Sequence, residues 1–98
     1  MSWWIGVDDT DRNVTYNVGS LFRLVLPGDG IIEFDGAPAS EAGGILKKAA
    51  IALCMLTYDE VKHAEPLNGW GSQFSAVTDL AWLAKCCEDN PQGTVYVH

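Results

Sequence analysis

The chain has 98 residues, and its 13 Asp and Glu against 6 Lys and Arg give it a formal net charge of −7. A surface this acidic repels nucleic acid and anionic membranes, so neither is expected as a direct partner. The hydrophobic share of 48% is ample for a core, which argues against a disordered chain and predicts a single domain over residues 1–98.

The apolar segments and the cysteines favour a cytoplasmic protein. No apolar run reaches the roughly 20 residues of a membrane-spanning helix, and the N-terminal segment lacks the basic start of a signal peptide. The 3 cysteines are Cys54, Cys86 and Cys87. They are odd in number and fall on helix faces that we expect to be buried, so they are predicted to be reduced packing residues.

The sequence contains no recognisable catalytic set. His63 and His98 are the only histidines, and neither has Cys, Asp or Glu at the spacing that zinc sites use. The cysteines form no C-x-x-C pair, and a Cys–His nucleophile would need an exposed thiol. We therefore expect a protein that is not an enzyme and that carries neither a metal nor another cofactor.

The first third of the chain predicts a strand, a loop and a short helix. Residues 2–7 are aromatic and β-branched, which is typical of a strand, and Trp3 and Trp4 must point to its opposite faces. Residues 8–15 are polar and are predicted to be a loop. Asn17 is a plausible N-cap for a helix over residues 18–26.

The middle of the chain predicts the central helix of the core. Residues 31–34 are expected to be an extended piece or one helical turn. Ser40 is the predicted N-cap of a helix that reaches about Leu56, with Glu41 in the first turn, where the helix dipole favours a carboxylate. Its expected buried side chains are Ile45, Leu46, Ala49, Ala50, Ala52, Leu53, Cys54 and Leu56.

The last third predicts a capped helix and a closing strand. Residues 57–65 are polar, with room for a short helical stretch. Ser72 caps the next helix, whose expected inward side chains are Phe74, Val77, Leu80, Ala81, Leu83, Ala84 and Cys87. Residues 94–97 form a second clear strand, and pairing with the first strand is the simplest way to satisfy both backbones. The predicted fold is α+β, with three helices and a two-stranded sheet of the N- and C-terminal strands.

The acidic side chains are the candidate binding residues. They come in clusters, which include residues 88–89, and the residues that we expect to contact a partner are Asp8, Asp9, Asp11, Asp29, Glu33, Asp35, Asp59 and Glu60. Trp70 lies between two glycines, and its indole is expected either to fill the core or to be an exposed contact residue.

Residues 5–11 (IGVDDTD) resemble the opening motif of the tRNA cytidine agmatine-ligase family, which uses ATP. The resemblance implies a metal- or nucleotide-binding site at Asp8, Asp9 and Asp11. Members of that family are several-fold longer, and no phosphate-binding glycine loop with a Lys follows the motif here. A solvated acidic turn is the other interpretation of the same residues.

Residues 16–19 (YNVG) and 68–71 (NGWG) resemble the motifs of a family of small proteins from bacteriophages and mobile elements. In size and acidity the chain is also similar to anti-CRISPR proteins. The family of the two motifs has no assigned reaction. The likeness to anti-CRISPR proteins implies an inhibitor whose acidic, DNA-mimicking surface enters the basic nucleic-acid-binding cleft of a host protein, such as a subunit of a CRISPR–Cas effector. The alternatives are the metal or nucleotide site and a structural or dimerisation module, and we expect a monomer or a weak dimer.

Overall fold

The computed structural model of the protein describes residues 2–65 and 72–98. The strands are β1 (Ser2–Val7), β2 (Thr10–Thr15) and β3 (Val95–Val97), and the α-helices are α1 (Gly19–Val25), α2 (Ala39–Met55), α3 (Tyr58–Val61) and α4 (Gln73–Asp89). Two 3-10 helices, Tyr16–Val18 and Gly30–Phe34, flank α1. The predicted α+β class is confirmed, and none of the described helices is long and apolar enough to cross a membrane.

The first and last strands pair, as the sequence predicts. The described sheet is antiparallel in the order β2-β1-β3, so β1 is its central strand. Beyond the paired residues of β3, Trp4 N donates to His98 O at 2.8 Å and His98 N donates to Trp4 O at 2.9 Å. The pairing therefore extends to His98.

The prediction of a polar loop over residues 8–15 is wrong, because β2 adds a third strand to the sheet. The signal was hidden by Arg12, a charged residue at a position that faces the helices. Its guanidinium lies 5.2 Å from the centre of the Trp82 ring and 3.8 Å from Asp79 Oδ1. The Trp82 ring and the Asp79 carboxylate together stabilise the guanidinium at a half-buried position. A charged residue can therefore occupy an inward-facing position of β2, and the strand lacks the usual apolar alternation.

One face of the sheet and the helices enclose the hydrophobic core. From β1 and β3 the core takes Ile5, Val7, Val95 and Val97, which alternate with outward-facing residues. The helices α2 and α4 pack against each other, and a Cβ on Gly43 would lie 3.1 Å from Cys87 Cβ. The buried residues of α2 and α4 are Ala39, Ala42, Leu46, Ala49, Ala50, Leu53, Ala76, Leu80, Leu83, Ala84, Cys86 and Cys87.

Both long helices are rotated relative to the faces that the sequence predicts. Ile45, Ala52 and Cys54 of α2 are exposed, and so are Phe74 and Ala81 of α4. The buried face of α2 contains several alanines, which let the neighbouring helix approach closely. Close packing of small residues therefore decides which face of each helix is buried. A prediction based on large side chains places the buried face about one residue away from its observed position.

One of the three predicted helix caps is confirmed, and two are wrong. The Ser72 side chain accepts from Ser75 N at the start of α4, as predicted. Helix α2 instead begins at Ala39, with Pro38 before it, so Ser40 lies inside the helix. Asn17 lies inside a 3-10 helix whose N-cap is Thr15.

Two further segments whose structure the sequence left open are helical. Residues 31–34 belong to a 3-10 helix, the helical one of the two alternatives. Thr57 opens α3 with a capping box, in which its side chain accepts from Glu60 N and the Glu60 carboxylate accepts from Thr57 N at 2.9 Å.

The side chain of Asp79 is mostly withdrawn from water, with 13% of it exposed. This burial raises the pKa of Asp79 to about 6, and the Arg12 guanidinium offsets only part of the rise. In the folded protein the Asp79 carboxyl therefore stays protonated to a higher pH than its ordinary pKa of 3.8 would allow. Folding takes up a proton at this group, so its contribution to stability is present at low pH and is lost as pH rises from about 4 to about 6.

Replacing this carboxyl by an amide (Asp79→Asn) is expected to raise the free energy of unfolding by about 1–2 kcal/mol near pH 7 and to change it little near pH 4. Urea unfolding of the variant and the unchanged protein at both pH values measures the difference, with Asp59→Asn at an exposed position as the control. If the variant differs from the unchanged protein by the same free energy of unfolding at both pH values, the raised pKa of Asp79 is contradicted.

Candidate functional site

The turn of the β-hairpin holds the first two candidate carboxylates. Asp8 has a φ of 53°, a left-handed conformation that Asp tolerates better than most residues. Asp8 Oδ1 accepts from Thr94 N at 3.2 Å, and Asp8 N donates to Thr94 O at 3.4 Å. The turn, with the exposed Asp9 beside it, is therefore fastened to the start of β3.

The third carboxylate of the hairpin reaches across the sheet. Gly6 of β1 lies between Asp11 and Tyr96 in the strand register, and the Tyr96 hydroxyl donates to Asp11 Oδ2 at 2.9 Å. Desolvation, this hydrogen bond and the charges of Asp11, Asp9 and Asp8 raise the pKa of Tyr96 to about 12. The carboxylates thus act together on one phenol, which stays neutral at physiological pH.

Asp35 joins the same strand from its other edge. It follows the 3-10 helix Gly30–Phe34, and its Oδ1 accepts from Val97 N at 2.9 Å. The next residue, Gly36, donates from its backbone N to Val95 O at 2.8 Å. Strand β3 therefore holds carboxylates along both of its edges, since Asp8 and Asp11 bind it from the side of the hairpin.

The start of α2 and the end of α4 meet this end of the sheet. Ala39 N donates to Gly93 O at 2.9 Å, and a Cβ on Gly93 would lie 2.5 Å from Asp8 Oδ2. Glu41 lies in the first turn of α2, and residues 88–89 end α4 just before the segment that leads to Gly93. All three carboxylates are exposed.

We call this part of the molecule the acidic end, and its residues are Asp8, Asp9, Asp11, Asp35, Glu41, Glu88 and Asp89. It holds more than half of the 13 acidic side chains of the chain. Sequence reasoning omitted Glu41, Glu88 and Asp89 as binding residues, although the cluster at residues 88–89 was visible. Their position follows only once α2 and α4 are known to lie side by side in opposite directions.

Little positive charge compensates the acidic end. In residues 2–65 and 72–98, the ion pairs are Arg12–Asp79, Lys62–Asp59 and Lys85–Asp89, and only the last of them belongs to this end. Lys85 Nζ lies 2.9 Å from Asp89 Oδ1, and that hydrogen bond, with the charges of Asp89 and Glu88, raises the pKa of Lys85. The remaining carboxylates there are left without a cationic partner in the described structure.

Asp29 and Glu33 lie beside the acidic end rather than in it. The Glu33 carboxylate accepts from Asp29 N at 3.1 Å and packs against Gly28, so both residues shape the loop that begins the 3-10 helix. Asp35 follows at the end of the same helix. No hydrogen bond among the described residues joins this pair to the hairpin turn.

Asp59 and Glu60 are not brought to the acidic end. They belong to α3, which follows the far end of α2, and that helix of 17 residues is about 24 Å long. Asp59 pairs with Lys62 at 3.3 Å. The backbone and side chain of Thr57 donate to the Glu60 carboxylate and lower the pKa of Glu60, so this residue caps a helix. Trp70, the other candidate contact residue, lies outside the described residues.

A groove of about 670 Å³ between α2 and α4 opens beside the acidic end. Small and apolar side chains line it, with Lys47, Lys85 and Glu88 among its charged residues. Cys87 also lines the groove, and desolvation together with a smaller effect of Cys86 raises the pKa of its thiol to about 11. A thiol protonated at neutral pH is a poor nucleophile.

The prediction that all three cysteines are buried is confirmed for two of them and wrong for the third. Cys86 and Cys87 are buried, as predicted, but Cys54 is exposed near the end of α2. The same rotation of α2 that exposes Ile45 accounts for this difference. Close to Cys54, the far end of the two long helices also exposes Met55 and Phe74, which are 78% and 80% accessible to solvent.

Asp8 and Asp11 each use one carboxylate oxygen within the fold. Asp8 binds a backbone N–H and Asp11 binds a phenol, and the described residues contain no group of three or more His, Cys, Asp or Glu side chains arranged to hold a metal ion.

Comparisons of the chain with protein-family models, with curated proteins and with solved structures find no match.

Proposed function

We propose that the protein is an inhibitor that binds a host protein by presenting its acidic end to a basic nucleic-acid-binding cleft. The observation that carries the proposal is the gathering of carboxylates at one end of the fold, where Lys85 forms the one described ion pair. Clefts that admit DNA or RNA are lined by cations, and a fixed array of carboxylates can neutralise them as phosphates do. Such an inhibitor performs no reaction of its own.

The dimensions of the molecule support binding through one end. The Debye length at physiological salt is about 8 Å, so charges farther apart than this are largely screened in water. Helix α2 alone separates Asp59 and Glu60 from the acidic end by about 24 Å. These carboxylates therefore contribute little to the potential that a partner meets at the acidic end.

Rigidity also supports the proposal. Asp8, Asp11 and Asp35 are held by hydrogen bonds to Thr94, Tyr96 and Val97, respectively. Carboxylates that are already fixed lose little conformational freedom when a partner binds, whereas free surface side chains pay that cost at the interface. CRISPR–Cas effectors are the class of target that we propose and test first, because their clefts receive nucleic acid.

The test compares two variants that remove the same formal charge. Asp9→Asn and Glu41→Gln together change exposed members of the acidic end, while Asp59→Asn and Glu60→Gln together change carboxylates outside it. Each protein is added to purified effectors of different CRISPR–Cas types, and binding of target DNA is measured. We expect the unchanged protein to block one effector, and the acidic-end variant to inhibit about 10- to 100-fold less well.

The control variant should inhibit as well as the unchanged protein, and added salt should weaken the inhibition. Equal losses in the two variants would contradict a role for this particular end. Full DNA binding by every effector in the presence of the unchanged protein would contradict the choice of target.

A dimerisation module is the second candidate, and the exposed apolar residues at the far end of the helices favour it. Met55 and Phe74 are mostly exposed, with Ile51 and Tyr58 nearby in the chain. Two copies that meet there would keep their acidic ends apart. Sedimentation of the protein should then give a dimer that Met55→Ser with Phe74→Ser converts to a monomer. A monomer at about 100 μM would exclude this candidate.

A further inference from the structure

The outer face of the sheet, opposite the core, carries aromatic side chains in the open. Trp4 is 52% exposed, and the strand register places Asn13 on one side of it and His98 on the other. Both neighbours are exposed as well. A half-exposed Trp on the central strand is a large apolar surface that the described part of the chain does not cover.

Tyr96 extends this aromatic surface toward the acidic end. Its ring centre lies 5.5 Å from that of His98, and its hydroxyl is fixed by Asp11 Oδ2. Gly6, between Tyr96 and Asp11 in the register, has no side chain to interrupt the row. The other oxygen of Asp11 has no hydrogen-bond partner within the described residues. An aromatic surface thus borders a carboxylate that can still accept hydrogen bonds.

An arginine side chain has the chemistry that this surface fits. A guanidinium stacks on the face of an indole and donates in-plane hydrogen bonds to a carboxylate, and Arg does both better than Lys. The protein already contains such an arrangement on the other face of the sheet. There Arg12 lies over the Trp82 ring at 5.2 Å and beside Asp79 at 3.8 Å.

Nucleobases also stack on aromatic residues of open sheets, so they are the main competing ligand. Each base brings a phosphate, however, and Asp8, Asp9 and Asp11 border the same face. Like charges a few ångströms apart repel each other even in bulk water, and several carboxylates add to this repulsion. This repulsion opposes the stacking of a base, whereas a cation gains both from stacking and from the carboxylates.

We propose that the outer face of the sheet, centred on Trp4 and Asp11, is an arginine-binding surface through which the protein engages an exposed arginine of its basic partner. This inference rests on the proposed function, because it names the chemical group that the partner contributes beside its cleft. The acidic end attracts the basic surface over a distance, and Trp4 then selects arginine at contact. The two faces adjoin at Asp11, which belongs to both.

The probe is a short peptide, Gly-Arg-Gly-Arg-Gly, with Lys and citrulline versions for comparison and a thymidine pentanucleotide as the competing class. Each is titrated into the ¹⁵N-labelled protein and followed by NMR. We expect the arginine peptide to shift the Trp4 indole N–H and the amides near Asn13 and His98. The lysine peptide should bind more weakly, and the citrulline peptide and the nucleotide should cause no comparable shifts.

Trp4→Leu keeps an apolar side chain in the strand and removes the indole, so we expect it to weaken binding of the arginine peptide about 3- to 5-fold. Leu24→Ala, which changes an exposed apolar side chain on α1, is the control and should have no effect. The preference for arginine over lysine in the unchanged protein is a second readout, which does not depend on folding of a variant.

Equal binding of the arginine and lysine peptides, or shifts confined to residues near Glu41 and Glu88, would overturn the proposal. So would stronger binding of the nucleotide. The effector assay separates this inference from the proposed function. If Trp4→Leu inhibits an effector fully while the acidic-end variant does not, the arginine-binding surface is wrong and the proposed function stands.

Discussion

The pairing of the first strand with the last is the interaction on which the rest of the structure depends. Bringing together ends separated by about 90 residues costs roughly 4 kcal/mol in loop-closure entropy, which the shared core must offset. The pairing puts Ile5 and Val7 beside Val95 and Val97, whose side chains are all buried. It also carries the hairpin turn to Thr94. Without this closure neither the acidic end nor the outer aromatic surface would exist.

Gathering like charges at one end opposes folding, yet the geometry limits this cost. The carboxylates are exposed, so water screens each pair to about 1 kcal/mol at 4 Å and to less at greater separations. A hydrogen bond to a charged acceptor contributes about 1.5–3 kcal/mol, and Asp8, Asp11 and Asp35 each accept one from β3 or from the residue before it. These hydrogen bonds oppose the repulsion and hold the three carboxylates in place. Their combined negative potential remains available to a cationic partner.

Sequence reasoning could predict what depends on local pattern and failed where a tertiary contact decides. The strand at residues 2–7, the Ser72 cap and the terminal pairing followed from residue type and spacing. Strand β2 did not, because the contact of Arg12 with Trp82 on α4 is invisible in a local pattern. The acidic clusters were visible in the sequence. Which of them share an end depends on the directions of α2 and α4, which no local pattern records.

The most direct test of the account is a map of the surface potential, obtained by NMR from the relaxation that a cationic and an anionic nitroxide cause at each backbone amide. We expect the cationic probe to be favoured most strongly near residues 8–11, 35, 41 and 88–89, and clearly less near residues 59–62. Probe ratios that are equal at the two ends of the molecule would contradict a concentrated negative potential. The proposed mode of binding would then have no physical basis.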